Sequence, residues 1–168
     1  LAAPLPASSP RAWYWHAYRT NLRLGGCLSD GVRLGHETGF DSGSTLDYVY
    51  RNQASGRGWL GRMADRHYLD AIGWRGIRQR KLYVEELLLA ALAHLTREGR
   101  PLRVLDIAAG HGRYVLDALG RAPRQPEAIV LRDFSDINVR DGAALIRARG
   151  LEALARFEKG DAFDRASV

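Results

Sequence analysis

A glycine-rich run after an apolar segment is the part of this chain best suited to bind a ligand. Residues 104–114 (VLDIAAGHGRY) have the pattern of a buried strand that ends near an acid, turns through glycines and enters a helix. Because glycine lacks a Cβ and adopts positive φ, the backbone of such a turn can approach a ligand closely. This geometry suits a cofactor that contains a nucleoside.

A second acid follows at the spacing expected of a carboxylate that holds ribose. Asp133 lies 21 residues beyond Gly112, at the end of the apolar run 128–131. In a βαβ unit, an acid about 20 residues past the glycine turn accepts hydrogen bonds from ribose hydroxyls. A dinucleotide fingerprint would need a third glycine where Val115 stands, to let helix and strand pack closely. The sequence therefore disfavours NAD or FAD, which remains the alternative cofactor.

Three blocks of the chain resemble the class I S-adenosylmethionine (SAM) methyltransferases. Residues 106–112 (DIAAGHG) resemble the first motif of that family, an acid followed by a loop of small residues. Residues 132–135 (RDFS) resemble the end of its second strand, and residues 157–163 (FEKGDAF) resemble its third-strand block. The resemblance implies an α/β, Rossmann-like, doubly wound sheet and SAM as the methyl donor.

The resemblance implies that the first block, residues 106–112, contacts the cofactor through its loop. Gly110 and Gly112 would lie under the cofactor, with Ala108 in the same loop. Asp106 would hold the loop or the methionine amino group by hydrogen bonds, or else cap the following helix. Histidine is a common general base, which makes His111 a candidate for that role. His111 occupies a variable position of the motif, however, so no catalytic residue is assigned.

The second and third blocks are implied to bind the adenosine. Asp133 would hold the ribose and Phe134 would cover the adenine, although an aromatic residue there could also belong to the core. Asp161 would meet the adenine amino group, and the backbone of Ala162 would meet a ring nitrogen. These roles require that the ends of three neighbouring strands meet at one edge of a sheet.

Two blocks before the glycine loop indicate a narrower family. Residues 46–53 (LDYVYRNQ) and 65–70 (DRHYLD) resemble a little-characterised bacterial methyltransferase family, some of whose members are fused behind an α/β-hydrolase domain. The resemblance covers most of the chain. It leaves two interpretations of Tyr48, Tyr50 and Arg51, which either form a lid over the methyl donor or pack between helices.

Length and composition are those of a globular protein with one substantial core. The 168 residues are 46% hydrophobic and 26% charged. The sequence has neither a run of about 18 apolar residues to span a membrane nor the features of a signal peptide. A single cysteine, Cys27, excludes an internal disulfide, fits a reducing cytoplasm and predicts a small buried side chain. No Cys and His cluster has metal-ligand spacing, so no metal is expected.

The positive charge does not predict a nucleic-acid partner. The net charge of +6 comes from 25 Lys and Arg against 19 Asp and Glu. Basic proteins can attract phosphates over long range. Here the arginines are spread among acids instead of forming a run, which favours a solvated surface. The expected partner is a small molecule or another, unidentified methyl acceptor.

Hydrophobic periodicity divides the chain into a helical first part and an alternating second part. Helices are predicted at 11–23, 44–53, 59–72 and 82–96, with an irregular glycine-punctuated stretch at 24–43. Strands are predicted at 103–107, 128–132 and 156–159, and helices between them at 113–119 and 136–149. Right-handed crossovers place the second strand beside the first and the third outside it. The aromatic side chains of the first helix favour core burial over contact with an apolar substrate.

These elements predict three regions and an incomplete sheet. The regions are a linker over 1–10, a helical and irregular extension over 11–100, and the first half of a cofactor-binding domain over 101–168. Complete domains of the resembled family have more strands than the three predicted here, so we expect a fragment whose first strand has an exposed edge. The expected activity of the whole protein is methyl transfer from SAM, the fragment alone being inactive. The alternative is a noncatalytic or dinucleotide-binding Rossmann-like module.

Overall fold

The computed structural model describes residue 6 and residues 9–165, without the side chains of residues 21–22. Most of the predicted linker and the last three residues of the third predicted region lie outside the described residues. The elements in chain order are α1 (Pro10–Leu28), α2 (Asp30–Thr38), α3 (Gly43–Arg51), α4 (Gly58–Leu69), α5 (Ile72–Arg97), β1 (Arg103–Ile107), α6 (Arg113–Leu119), β2 (Ala128–Asp133), α7 (Asp136–Ala148) and β3 (Ala155–Lys159).

The three strands form a parallel sheet in the predicted order β1-β2-β3. Arg103 of β1 is opposite Ala128 of β2, and Ile129 of β2 is opposite Ala155 of β3. The predicted strands and the two helices between them agree with the structure to within one residue at each end. Because parallel strands all end at the same edge, the loops that follow β1 and β2 meet there.

The main core lies between this sheet and the helices α5, α6 and α7. Alternation along β2 turns Ile129, Leu131 and Asp133 to its buried side, so the same period that packs the core also buries an acid at the strand end. On β1, Leu105 and Ile107 are exposed. The buried apolar members of the core are Leu92, Leu102, Ala109, Val115, Leu116, Leu119, Ile129, Leu131, Ile146 and Ala155.

The stretch 24–43, predicted to be irregular, is mostly helical. It contains the end of α1 and all of α2. Two of its glycines are packing positions within α2: a Cβ on Gly31 would lie 2.5 Å from the Tyr68 ring, and a Cβ on Gly35 would lie 2.3 Å from the Phe40 ring. The prediction was wrong because a glycine that permits close packing looks the same in sequence as a glycine that ends a helix.

Other helix boundaries in the extension also differ from the predictions. The N-cap of α3 is Ser42, whose Oγ accepts a hydrogen bond of 3.1 Å from the Thr45 N–H, so the helix begins at Gly43, one residue before the predicted start. The break between α4 and α5 comes before Gly73, which lies inside α5. As a result, α5 begins at Ile72 and is ten residues longer at its start than periodicity predicts.

A buried carboxylate holds the first four helices together. Asp65 on α4 accepts hydrogen bonds from Ser29 Oγ (2.6 Å), the Gly31 N–H (2.9 Å), the Ser55 N–H (2.8 Å) and the Tyr48 hydroxyl. Burial alone would raise the pKa of Asp65, but these hydrogen bonds lower it. Tyr48, a lid candidate in the sequence, is therefore a packing residue of the extension.

Two expectations of burial are wrong. Trp13 and Tyr14 on α1 are 74% and 64% exposed, and Cys27 is also exposed. The aromatic residues are exposed because α1 approaches α2 near its C-terminal end, where a Cβ on Gly26 would lie 3.5 Å from Arg33, so the aromatic first turns lie beyond the contact. Nothing in this packing explains the exposure of Cys27. Of the helices in the described ranges, none has the length and hydropathy needed to cross a bilayer.

Candidate functional site

A cleft of about 740 Å³ lies at the edge of the sheet where β1 and β2 end. One side is formed by the glycine loop (108–112) and by the loop between β2 and α7. The opposite side is formed by the extension, from α2, α3 and α5. The volume is within the range of ligand sites in proteins, roughly 300–1,000 Å³. The cleft is therefore large enough for a nucleoside cofactor.

The glycine loop has the close-approach geometry that its sequence predicts. The φ angles of Ala108, Gly110 and Gly112 are +72°, +60° and +70°. A Cβ on Gly112 would lie 2.4 Å from Leu131 Cδ1, and a Cβ on Gly110 would lie 3.3 Å from Gly43 Cα. The positive φ favours glycine at both positions and space also disfavours a Cβ at Gly112, whereas Ala108 holds a left-handed conformation with a side chain.

Asp133 joins the two loops that form this side of the cleft. Its Oδ2 accepts a hydrogen bond of 2.9 Å from the Gly110 N–H. Its Oδ1 accepts from the Ser135 N–H at 2.9 Å and from Asn138 Nδ2 at 3.0 Å. Asp133 is only 5% exposed but lines the cleft. Because a carboxylate offers about four acceptor positions, it has capacity for one further donor.

Phe134 lines the same cleft and is 72% exposed. The alternative that it belongs to the core is therefore wrong. It follows the last residue of β2, and the alternation that buries Asp133 turns the next side chain away from the core. An exposed aromatic ring beside a cleft offers a flat apolar surface to a ligand.

The third block lies next to these residues but does not line the cleft. The Gly160 N–H donates a hydrogen bond of 3.1 Å to the Asp133 carbonyl, which places the end of β3 beside the end of β2. Asp161 and Ala162 are exposed, and Asp161 Oδ1 accepts a hydrogen bond of 2.9 Å from the Phe163 N–H. The structure thus brings the first two blocks together and leaves the third at their margin.

Asp106 reaches the cleft only through another residue. It is not among the lining residues, but Tyr114, which is, donates its phenolic hydrogen to Asp106 Oδ2. Burial raises the pKa of Asp106, and the hydrogen bond from Tyr114 opposes this effect. Burial also raises the pKa of Tyr114. Tyr114 was not among the site residues predicted from the sequence. Its position in the first turn of the helix after the glycine loop could have indicated that it lines the cleft.

The extension contributes one residue that its sequence block indicated, Tyr50, and one that it did not, Lys81. Tyr50 lines the cleft, its ring 6.5 Å from that of Tyr114, and Lys81 Nζ lies 5.9 Å from the Tyr50 ring. Arg51, by contrast, forms an ion pair of 3.1 Å with Asp47 within α3. Of the three lid candidates, Tyr50 is the one that lines the cleft.

Asp47 on α3 connects the extension to the glycine loop. Its Oδ1 accepts a hydrogen bond of 2.6 Å from Arg113 Nε, and its Oδ2 lies 3.6 Å from His111 Nδ1. His111 Nε2 is 3.3 Å from Ser44 Oγ. Burial alone would raise the pKa of Asp47, but the hydrogen bonds from His111 and Arg113 and the charge of Arg113 lower it to about 2. Asp47 is therefore a buried, ionised carboxylate at neutral pH.

Comparison with known proteins shows the family. A family model described as "Putative methyltransferase" matches residues 1–168. The chain belongs to this methyltransferase family. "Uncharacterized protein YnbC" of Escherichia coli (strain K12) is 50% identical over 161 residues, which are 96% of this chain and 27% of that protein. The chain therefore spans about a quarter of the length of this curated relative of the family.

Several solved structures are similar to this chain over about half of its length. A "putative sarcosine dimethylglycine methyltransferase" from Galdieria sulphuraria is 20% identical with a TM-score of 0.41, covering 51% of this chain and 31% of that one. The cyclase SpnF is 25% identical with a TM-score of 0.38, covering 48% and 28%. WbdD, in one structure described as a bifunctional kinase-methyltransferase, is 27% identical with a TM-score of 0.37, covering 49% and 17%.

Proposed function

We propose that the cleft binds SAM and that the protein transfers its methyl group to an acceptor. The observation that carries the proposal is the convergence of a positive-φ glycine loop, a buried carboxylate and an exposed aromatic ring around one cleft. Family membership supports methyl transfer as the reaction class. The identity of the donor rests on how well these residues suit an adenosine that carries a methionine.

The residues on the sheet side suit the adenosine. Asp133 has room for one more donor, which a ribose hydroxyl would supply. Phe134 would lie against the adenine, where its exposed ring would lose contact with water. Asp161 and Ala162, at the end of β3, would have to turn toward the cleft to meet the adenine edge. Gly110 and Gly112 would support the cofactor through their backbone.

The residues around Tyr114 suit the methionine part. Because Tyr114 donates its hydroxyl hydrogen to Asp106, the phenolic oxygen is left to accept a hydrogen bond from the cleft. An ammonium group is a suitable donor, so Asp106 would act on the cofactor through Tyr114. Bound SAM would supply a methyl group already activated by its sulfonium. The chain would then bind and orient the donor and exclude water, without a nucleophile of its own.

Calorimetric titration of the whole protein that carries this chain, with SAM and separately with NAD, tests the proposal. We expect SAM to bind and NAD to bind more weakly or not at all. The variant Asp133→Asn should bind SAM about tenfold more weakly, because a charged hydrogen bond contributes about 1.5–3 kcal/mol. Circular dichroism would establish that each variant is folded.

Two control variants separate ligand binding from structure. Asp136→Asn changes an exposed acid three residues away, whose Oδ1 pairs with Lys159 at 2.6 Å, and should leave affinity unchanged. Asn138→Ala removes one donor to the carboxylate of Asp133 and keeps the carboxylate itself. Equal SAM affinity in Asp133→Asn and the wild type would overturn the ribose assignment. Tighter binding of NAD than of SAM would overturn the proposed function.

A further inference from the structure

The extension lies directly against the glycine loop. The start of α3 is so near that a Cβ on Gly110 would lie 3.3 Å from Gly43 Cα. A Cβ on Gly43 would in turn lie 2.6 Å from Asn138 Nδ2. A Cβ on Gly110 would crowd the backbone of α3, and a Cβ on Gly43 would require the Asn138 side chain to move. Any ligand on the glycine loop therefore has α3 as an immediate neighbour.

A charged contact between Asp47 and the glycine loop holds α3 in this position. Asp47, with a side chain 6% exposed, receives hydrogen bonds from Arg113 Nε at 2.6 Å and Arg113 Nη2 at 3.3 Å. His111 is 3.6 Å from the same carboxylate and 3.9 Å from Asp141 on α7. The two loop residues that contact Asp47, His111 and Arg113, flank Gly112, whose φ is +70°. Arg51 of α3 pairs with the same carboxylate at 3.1 Å from within the helix. A single side chain of the extension thus holds both ends of the turn.

We propose that Asp47 is a positioning residue for the cofactor. Through Arg113 and His111 it holds α3 on the glycine loop and keeps the loop in the shape that accepts SAM. The proposal rests on the proposed function, because SAM is the ligand whose affinity it explains. When only a fraction of the protein molecules has the conformation that binds the ligand, the apparent affinity is the intrinsic affinity multiplied by that fraction. Removal of the Asp47 charge should lower the fraction with α3 in place.

The test measures SAM affinity by calorimetry on the whole protein that carries this chain and on its Asp47→Asn variant. We expect the dissociation constant to rise about tenfold, within the usual range of coupling between sites. The double variant with Arg113→Gln should bind hardly more weakly than either single variant, because the two side chains act through one contact. If the two side chains acted independently, the affinity losses of the two single variants would multiply in the double variant.

Asp65→Asn is the matched control. Asp65 is a buried acid of the same extension, but its partners all lie within the extension. If Asp47 has only a structural role, loss of affinity will follow loss of unfolding free energy in both variants. A positioning role predicts a loss in Asp47→Asn that Asp65→Asn, destabilised as much or more, does not share. Equal losses at equal destabilisation would overturn the proposal.

Hydrogen exchange of the free protein gives a readout that needs no ligand. Amides of residues 109–113 should exchange faster in Asp47→Asn than in the wild type, and those in α4 should not. If the wild type fails to bind SAM, the proposed function fails, while unchanged exchange in the variant separately overturns the positioning role. If Asp47→Asn does not fold, Arg113→Gln tests the same contact from the side of the glycine loop. Unchanged SAM affinity in Arg113→Gln would overturn the proposal.

Discussion

Replacement of Ala108 by glycine should stabilise the protein, although it removes a side chain. Ala108 has a φ of +72°, in the left-handed region that alanine avoids and glycine adopts freely. Its side chain is exposed, so its loss removes little packing. The position is the first of three positive-φ residues in the glycine loop, and the other two are glycines. The strain is therefore local and a single substitution relieves it.

The expected gain follows from two opposing effects. A side chain in the left-handed conformation costs roughly 1–2 kcal/mol. Glycine also gives the unfolded chain more freedom, which costs about 0.4–1 kcal/mol of stability. The difference is a stabilisation of about 0.5–1 kcal/mol, which for a chain of this size corresponds to a rise in Tm of about 1–4 °C.

Urea unfolding of the wild type and the variant would measure this difference. Ala109→Gly is the control, because Ala109 is 4% exposed and its φ is not positive. That neighbouring substitution should destabilise by about 1 kcal/mol or more, since it adds backbone freedom and removes a buried methyl group. If Ala108→Gly destabilises the protein as Ala109→Gly does, then the left-handed conformation of the loop, and our account of how it supports a ligand, is refuted.

Three other predictions concern the cleft. Gly112→Ala should destabilise by about 2–3 kcal/mol in urea unfolding, because its Cβ would lie 2.4 Å from Leu131 at a φ of +70°; a loss under 0.5 kcal/mol would contradict this. Despite burial, hydrogen bonds lower the pKa of Asp47 from 3.8 to about 2, so it should contribute about 2 kcal/mol that is present above pH 4 and lost as pH falls through 2. The stability gap between the wild type and Asp47→Asn should therefore narrow over that interval, and a constant gap would argue against it. Tyr114→Phe should raise the pKa of Asp106, which NMR titration of the carboxyl carbon would measure, and an unchanged pKa would exclude the hydrogen bond.

The second half of the fold was predictable because its information is local. Strand and helix periods alternate cleanly from Arg103 onward, and glycines mark the turns. At the end of α7, for example, Gly150 has a φ of +65° and the Leu151 N–H bonds to the Ile146 carbonyl at 3.2 Å. Handedness of the crossovers then left one strand order, which the structure confirms.

The extension was harder to predict because its glycines act through distant partners. Gly31 packs against Tyr68 and Tyr48, contacts that no periodic pattern within α2 encodes. The burial of the aromatic residues of α1 was predicted wrongly for the same reason, because it too depends on distant packing partners. Their apolar character predicts burial, and only the packing of α1 near its C-terminal end shows why Trp13 stays in contact with water.

The sequence by itself determined the family, the parallel sheet and the presence of Gly110, Gly112 and Asp133 at one edge of it. These features depend on local spacing, which the chain carries without regard to packing. Tertiary structure alone decided that Asp47 meets Arg113, 66 residues later, and that Tyr114 stands between Asp106 and the cleft. Such contacts depend on the distance and angle between packed elements, and a difference of a few ångströms decides which side chains form them.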